Sequence, residues 1–201
     1  MVFIAGSSLL GNSLLHSTVR QQSSLYSKDI TVAENIEIVC QFQEYIWETL
    51  SISERLAASQ VIANIERGRL GISTPLTIEA DSLSESGYGY YDDRTYRIVL
   101  NIDYLLYGSA EETLDTLCHE AFHAFEHRLV DAYDSLDDSS KDLMIFSTAV
   151  KYKEEFTESS HNFDYFDYFF SNTEIDARNY AERSVDEYYQ RIDEYVANMN
   201  Q

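Results

Sequence analysis

Proline, glycine and cysteine are scarce in this 201-residue chain, which contains one, seven and two of them. So few helix-breaking residues favour a helix-rich globular protein. The two cysteines, Cys40 and Cys118, fall on different predicted helices and give no sign of a disulfide framework. Cys118 belongs to an apolar helical stripe, so we assign it to the core and not to a metal site. No apolar run reaches the length of a membrane span.

Basic residues are also few. The chain has 14 lysines and arginines against 35 acidic residues, which gives a formal net charge of −21 and an isoelectric point near 4.3. This balance argues against nucleic acid and anionic membranes as partners, because both need a basic surface. An acidic surface keeps a protein soluble. Residues 1–15 lack the basic start of a secretory signal, so we expect a cytoplasmic protein, although export stays open.

The length suits one domain with a real core. We expect a serine-rich tail or a short extra helix over residues 1–30, followed by a single domain over residues 31–201. The first part of this domain, residues 31–70, is predicted to be a helical hairpin. A capping-box pattern at Thr31 starts its first helix, which runs to about Leu50, and a second capping box starts the next helix.

The period of the apolar residues changes after the hairpin. Residues 75–101 alternate between apolar and polar positions and contain turn residues, which predicts three short strands in an antiparallel sheet. The strongest of these strands covers residues 94–101. Two more helices are predicted downstream, over residues 136–157 and 172–198. The fold class is therefore α+β, mostly helical, with a small three-stranded sheet ahead of the central helix.

That central helix is predicted over residues 109–131. Ser109 and Glu112 form a capping box at its start, and acids in the first turn suit the helix dipole. Apolar residues then recur at steps of three and four, which predicts a half-buried helix: Leu114, Leu117, Cys118, Ala121, Phe122 and Phe125.

This helix carries the pattern His119-Glu120-x-x-His123. The two histidines lie about 6 Å apart along a helix and about 40° apart around it, so both imidazoles can reach one metal ion from the same face. Glu120 lies close enough to act on a metal-bound water without being a ligand. The pattern therefore indicates a catalytic metal site on a helix.

A catalytic zinc site needs a third protein ligand and an open position for water. His127 continues the series but lies about 12 Å from His119 along the helix, too far to share one ion. His161 is in an irregular segment and could approach the site. A carboxylate on the last predicted helix is the better candidate.

The motif helix and the later segment from Glu174 to Ala181, EIDARNYA, together resemble the zincin metallopeptidases of gluzincin type. The likeness is closest to small versions of that fold, the minigluzincins and the ImmA/IrrE-like group. In these proteins a Glu-x-x-Ala-x-x-aromatic-Ala helix supplies the third zinc ligand, so the resemblance implies that Glu174 has this role. The order of parts agrees over residues 75–185: small sheet, motif helix, connecting segment and glutamate helix.

Other acids stay open as the third ligand, namely Asp176, Glu155 and Glu182. Without a metal, Glu174 would only complete a capping box with Ser171. Thermolysin-like enzymes also place an aspartate four residues after the ligand glutamate, where this chain has Arg178. A carboxylate that orients a ligand histidine must therefore come from elsewhere in the chain, or be absent.

The resemblance implies a hydrolase that holds one Zn²⁺ per chain and cleaves a peptide or protein substrate. A zinc-activated water would attack the peptide bond, with Glu120 as general base. The developing oxyanion needs a further donor, so Tyr180, Tyr165 and Tyr96 are candidate contacts to the transition state or the substrate. The strand over residues 94–101 would run along the cleft and pair with an extended peptide.

Two other functions stay open. One is a binding or regulatory module that keeps the zincin fold but is catalytically silent. The other is a helical interaction protein in which the motif is accidental. Retention of Glu120 argues against a silent site, because a structural zinc ion has no use for a general base.

Overall fold

A computed structural model describes residues 31–83, 87–143, 146–158 and 169–200. The predicted tail over residues 1–30 lies outside the described residues. Within these four ranges, no helix is both long enough and apolar enough to span a bilayer.

The prediction of one continuous helix from Thr31 to Leu50 is wrong. The structure has two short helices, α1 (Ile36–Val39) and α2 (Glu44–Trp47), with 3₁₀ turns at Ala33–Asn35 and Cys40–Phe42. The chain is extended at Gln43, where φ is −72° and ψ is 128°. On a straight helix, side chains five residues apart would point about 140° apart. The break lets Phe42 and Trp47 stack in the core, with ring centroids 4.9 Å apart.

Helix α3 (Ile52–Arg69) begins at the predicted capping box. Ser51 accepts a hydrogen bond from the Glu54 amide, and the Glu54 carboxylate accepts one from the Ser51 amide in return. Past the helix end Gly71 has a φ of +67°, a conformation that glycine adopts without strain. The second helix of the predicted hairpin therefore has close to its expected bounds.

The three strands are β1 (Thr77–Asp81), β2 (Gly89–Asp92) and β3 (Arg97–Asn101), in the spatial order β1-β3-β2. Strands β2 and β3 form an antiparallel hairpin, but β1 pairs with β3 in parallel. The three predicted strands are confirmed, and their purely antiparallel arrangement is wrong. Strand β3 has three consecutive apolar, buried residues at its centre, Ile98–Leu100, so it takes the central position with a neighbour on each side, while the alternating β1 lies at an edge.

A short helix α4 (Ile102–Tyr107) leads into α5 (Ala110–Asp134), which carries the His-Glu-x-x-His pattern. The capping box between Ser109 and Glu112 is formed as predicted. Helix α5 lies at the centre of the fold, because it contacts α3 and two later helices as well as β2 and β3. The α+β class, mostly helical with one small sheet, is confirmed at this level.

The predicted helix over residues 136–157 is divided in two, α6 (Asp138–Lys141) and α7 (Ser147–Glu158). Asp137 caps the first piece by accepting a hydrogen bond from the Ser140 amide. Serine and aspartate, which dominate this stretch, compete with helix formation through their side chains, so α6 stays short. The last helix, α8 (Asn172–Met199), begins after Ser171 and matches its predicted range closely.

A buried carboxylate joins α8 to α3. Glu66 is fully buried and accepts a hydrogen bond from Tyr188 Oη at 2.6 Å. Tyr180 Oη donates to the other oxygen, and Arg69 forms an ion pair with Glu66 at 3.2 Å. These contacts hold α8 against α3, and α8 also packs along α5, the helix that carries the two histidines.

Candidate metal centre

The two motif histidines converge on one point. Their Nε2 atoms lie 3.0 Å apart, and the rings meet edge to face with centroids 4.6 Å apart. Both side chains are largely buried on the face of α5 that turns towards α8. A single ion can therefore bind both imidazoles, as the helical spacing predicted.

Glu174 completes a group of three ligand atoms. Its Oε1 lies 3.2 Å from His123 Nε2, and its Oε2 lies 3.5 Å from His119 Nε2. One ligand atom from each of the three side chains lies within 4.8 Å of the other two, so the group is compact enough to hold a metal ion. Among the described residues, this is the group of histidine, cysteine and acidic side chains whose geometry suits a metal.

The first turn of α8 directs Glu174 towards α5. Ser171 caps the helix by accepting a hydrogen bond from the Glu174 amide at 3.3 Å. Ala177 and Ala181 follow on the same face and are fully buried. Small side chains at these positions let α8 approach α5 closely, which brings the Glu174 carboxylate within reach of the imidazoles.

A second carboxylate, Glu126, orients His123. Its Oε2 lies 2.7 Å from His123 Nδ1, and its side chain is fully buried. A ligand histidine commonly donates its second ring N–H to such a carboxylate, which fixes the tautomer and leaves Nε2 for the metal. No sequence pattern singled out Glu126. Its one signal is an acidic residue one turn after His123, on the same face of the helix.

Arg178 stands where thermolysin-like enzymes have the orienting aspartate. Its guanidinium lies 3.5 Å from Glu174 Oε2, and it donates to the carbonyl of Phe169 at 2.6 Å. It also stacks on the Phe169 ring at 4.0 Å. Arg178 thus contacts the third candidate ligand, Glu174, while Glu126 on the other helix contacts His123.

The neighbours of His123 favour a proton on its ring in the metal-free protein. Burial alone lowers the pKa of His123, but hydrogen bonds to Glu126 and Glu174 outweigh burial and raise the pKa to about 10. The unfolded value is about 6.5, so this proton stabilises the metal-free fold fully below about pH 6.5. The contribution is lost as the pH rises through the folded value of about 10. A metal on Nε2 replaces the proton, so zinc binding between these limits releases it.

Replacing Glu126 tests this arrangement. We expect Glu126→Gln to weaken zinc binding by about 10–100-fold, the usual effect of losing a carboxylate behind a ligand histidine. Fewer protons should also be released at pH 7.5, because His123 loses the partner that raises its pKa. Calorimetric titration with zinc in two buffers of different ionisation enthalpy measures both quantities. Glu111→Gln, an exposed change in the first turn of the same helix, is the matched control. Unchanged affinity and proton release would show that Glu126 does not orient His123.

The three alternative ligands have other surroundings. Asp176 accepts a hydrogen bond from Tyr152 Oη at 2.7 Å. Glu155 accepts from the amides of Asn172 and Thr173. Glu182 is exposed on α8. The geometry therefore favours Glu174 over all three. His161 lies outside the described residues.

The tyrosines proposed as donors lie elsewhere. The hydroxyl of Tyr180 donates to the buried Glu66, and its ring stacks on Phe122 at 4.8 Å. The ring of Tyr96 lies under the Arg128 guanidinium, 4.9 Å away. Neither side chain lines the cavity beside the histidines, because each is held by a partner on another surface of α5. These contacts give no support to a role at the transition state for Tyr180 or Tyr96, and that role stays a prediction. Tyr165 lies outside the part of the chain that the structure describes.

An open cavity of about 220 Å³ adjoins two of the three candidate ligands, His123 and Glu174. Glu120, His123 and Glu174 form one wall, and Glu120 is only 8% exposed. The other walls come from β2, from α5 and from the α7–α8 region: Gly89, Tyr90, Tyr91, His127, Glu155, Phe156, Ser171 and Thr173. The general base predicted from the motif thus shares a cavity with His123 and Glu174.

His127 lies in this cavity and is not among the three candidate ligands. Its ring stacks on Phe156 with centroids 4.1 Å apart and planes 5° apart. Its Nδ1 lies 3.6 Å from Asp93 Oδ2. Burial lowers the pKa of His127 despite the nearby Asp93 carboxylate, which favours the neutral ring. His127 therefore contributes a flat aromatic ring to the wall of the cavity.

The strand over residues 94–101 was predicted to run along the cleft and pair with a peptide, and its position in the sheet does not allow this. Strand β3 is hydrogen-bonded to β1 on one side and to β2 on the other, so its edges are not available to a peptide. Strand β2 is paired only with β3 among the described strands, and its residues line the cavity. The edge strand beside the site is therefore β2.

Comparisons of the chain with protein-family models, with curated proteins and with solved structures find no match. The chemistry of the site is accordingly inferred from its own geometry.

Proposed function

We propose that this protein is a zinc-dependent metallopeptidase. The observation that carries the proposal is the convergence of His119, His123 and Glu174 beside a cavity that also contains Glu120. Two imidazoles and one carboxylate are a ligand set typical of catalytic zinc sites, which keep one position for water. A bound zinc ion would act as a Lewis acid there and lower the pKa of that water towards about 7.

Glu120 has the position that a general base needs. It is buried at the cavity wall, and its carboxylate is not one of the three candidate ligand atoms. In peptide hydrolysis the Glu120 carboxylate takes a proton from the attacking water. It then returns this proton to the nitrogen of the leaving amine as the carbon–nitrogen bond breaks.

The substrate we propose is an extended peptide aligned along β2. Backbone groups at the outer edge of an edge strand can pair with a peptide, and the alternate side chains then enter pockets. Tyr90 and Tyr91 on β2 and the stacked pair of His127 and Phe156 face the same cavity. The peptide would therefore pass between the sheet and α7, with its scissile bond at Glu120.

A peptidase assay tests this function. Zinc-loaded protein is incubated with a mixture of unstructured peptides, and mass spectrometry identifies the fragments. Hydrolysis that stops with a chelator and returns with added zinc supports the proposal. Stoichiometric zinc without hydrolysis would contradict it in favour of a silent binding or regulatory module. Absence of bound zinc would contradict it in favour of an accidental motif.

A further inference from the structure

We propose that Glu155 is a positioning residue that locks the first turn of α8 and so presents Glu174 to the two imidazoles. The proposal rests on the metal centre proposed above, but not on peptide hydrolysis. It concerns a side chain on α7 that contacts neither histidine and that no motif singles out.

The contact is a carboxylate placed across the start of a helix. Glu155 Oε1 accepts a hydrogen bond from the Asn172 amide at 2.8 Å, and Oε2 accepts one from the Thr173 amide at 3.0 Å. The side-chain amide of Asn172 donates to the same carboxylate. The first amides of a helix have no partner within the helix, and a negative charge there also suits the helix dipole. Glu155 thus holds the two residues that directly precede Glu174.

A second contact holds the other side of Glu174. Tyr152, one turn before Glu155 on α7, donates to Asp176 Oδ2 at 2.7 Å. Asp176 follows Glu174 by two residues, so α7 binds the first turn of α8 on both sides of the ligand. Asp176 and Glu155 were themselves candidate ligands. Their hydrogen bonds instead hold the turn that carries Glu174.

Helix α7 also reaches the helix that carries the histidines. Phe156, next to Glu155, stacks on His127, which lies one turn after His123 on α5. The same short helix therefore contacts both ligand-bearing helices within one turn of the metal centre. It fixes the distance between them at the point where Glu174 meets the histidines.

We call the contacts of Glu155 and Tyr152 with the first turn of α8 the clamp. The location of Glu174 explains why it is needed. Terminal turns of helices fray, and Glu174 is the third residue of α8. A ligand in a fraying turn would lose part of its binding energy to ordering, because the turn must be fixed each time the metal binds. Contacts behind the ligand commonly improve metal affinity by about 10–100-fold. By linkage, the metal should stabilise the clamp by the same factor.

The test compares Glu155→Gln with Glu154→Gln, its exposed neighbour on α7. The glutamine keeps the shape of Glu155 but loses its charge and one of the two acceptor oxygens. Zinc affinity is measured by competition with a chromophoric chelator. Hydrogen exchange at the Asn172 and Thr173 amides is measured with and without zinc.

We expect Glu155→Gln to weaken zinc binding by about tenfold or more and to speed exchange at both amides in the metal-free protein. Glu154→Gln should match the native protein in both measurements. Zinc should slow exchange at these amides in the native chain.

Native zinc affinity in Glu155→Gln would overturn the proposal. Weaker zinc binding with unchanged hydrogen exchange at the two amides would also overturn it, because Glu155 would then affect zinc binding by a route other than the first turn of α8. If the native chain binds zinc but cleaves no peptide, only the peptidase assignment is contradicted. The clamp is then still tested by zinc affinity and by hydrogen exchange at the two amides. A native chain that binds no zinc overturns both.

Discussion

Glu120→Gln should reduce the rate of peptide hydrolysis by at least about 100-fold, because general acid–base catalysis commonly contributes about 10²–10⁴-fold. The glutamine has nearly the same shape but cannot accept the proton of the attacking water. Zinc content should stay at the native level, because the carboxylate of Glu120 is not among the three candidate ligand atoms. Initial rates with a peptide identified in the cleavage assay, together with elemental analysis of the same sample, measure both effects.

The control for this prediction is again Glu111→Gln, which removes one charge from the exposed first turn of α5. Its rate should equal the native rate. Equal hydrolysis by Glu120→Gln and the native chain would show that another group moves the proton. Loss of zinc from Glu120→Gln would place its carboxylate among the ligands and contradict the division of roles at the site.

Glu174→Ala should weaken zinc binding by more than about 100-fold, beyond the range seen for residues behind the ligands. The substitution removes the carboxylate that lies 3.2 and 3.5 Å from the two imidazole nitrogens. The rest of α8 should stay folded, because its buried face and its hydrogen bonds to Glu66 are untouched. Chelator competition gives the affinity, and elemental analysis after dialysis gives the zinc content.

Glu182→Gln serves as the matched control, because Glu182 lies two turns later on the same helix and is exposed. It should retain native affinity. A Glu174→Ala variant that still holds one zinc ion, with affinity within tenfold of native, would show that a different acid completes the site. Activity should be lost in parallel with zinc in the variant, and added zinc in excess should restore it only in part.

Local rules of sequence account for the part of the site on α5. The capping box at Ser109 starts the helix, and helical spacing then places His119 and His123 side by side without help from the rest of the fold. Glu174 lies 51 positions after His123 along the chain, so no local rule could bring it to the site. Its selection depended on the resemblance to gluzincins.

Contacts that depend on tertiary packing escaped prediction. Glu126 is recognisable as a partner of His123 only once both are seen to be buried on one face of α5. Glu155 is one of many acids in the sequence, and its role follows from where α7 lies against α8. The abundance of tyrosine in the sequence does not show which hydroxyl faces the cavity, and the Tyr180 hydroxyl donates instead to Glu66, a buried acid on α3.

In the sheet, too, local sequence predicted the strands but not how they are arranged. Alternation and turn residues located all three strands, because these signals are local. The order of the strands depends on which one can be buried between two neighbours, and β3, with its apolar centre Ile98–Leu100, takes that place. The strand beside the cavity is consequently β2, and it is β2 that we expect a peptide to join.

X-ray absorption at the zinc edge of the zinc-loaded native protein tests the central claim most directly. The measurement should show one zinc ion per chain, bound by two imidazole nitrogens at about 2.0–2.1 Å and by oxygen atoms from a carboxylate and water at similar distances. A zinc shell that lacks two imidazoles, a shell that contains sulfur, or less than stoichiometric zinc would contradict the proposed centre.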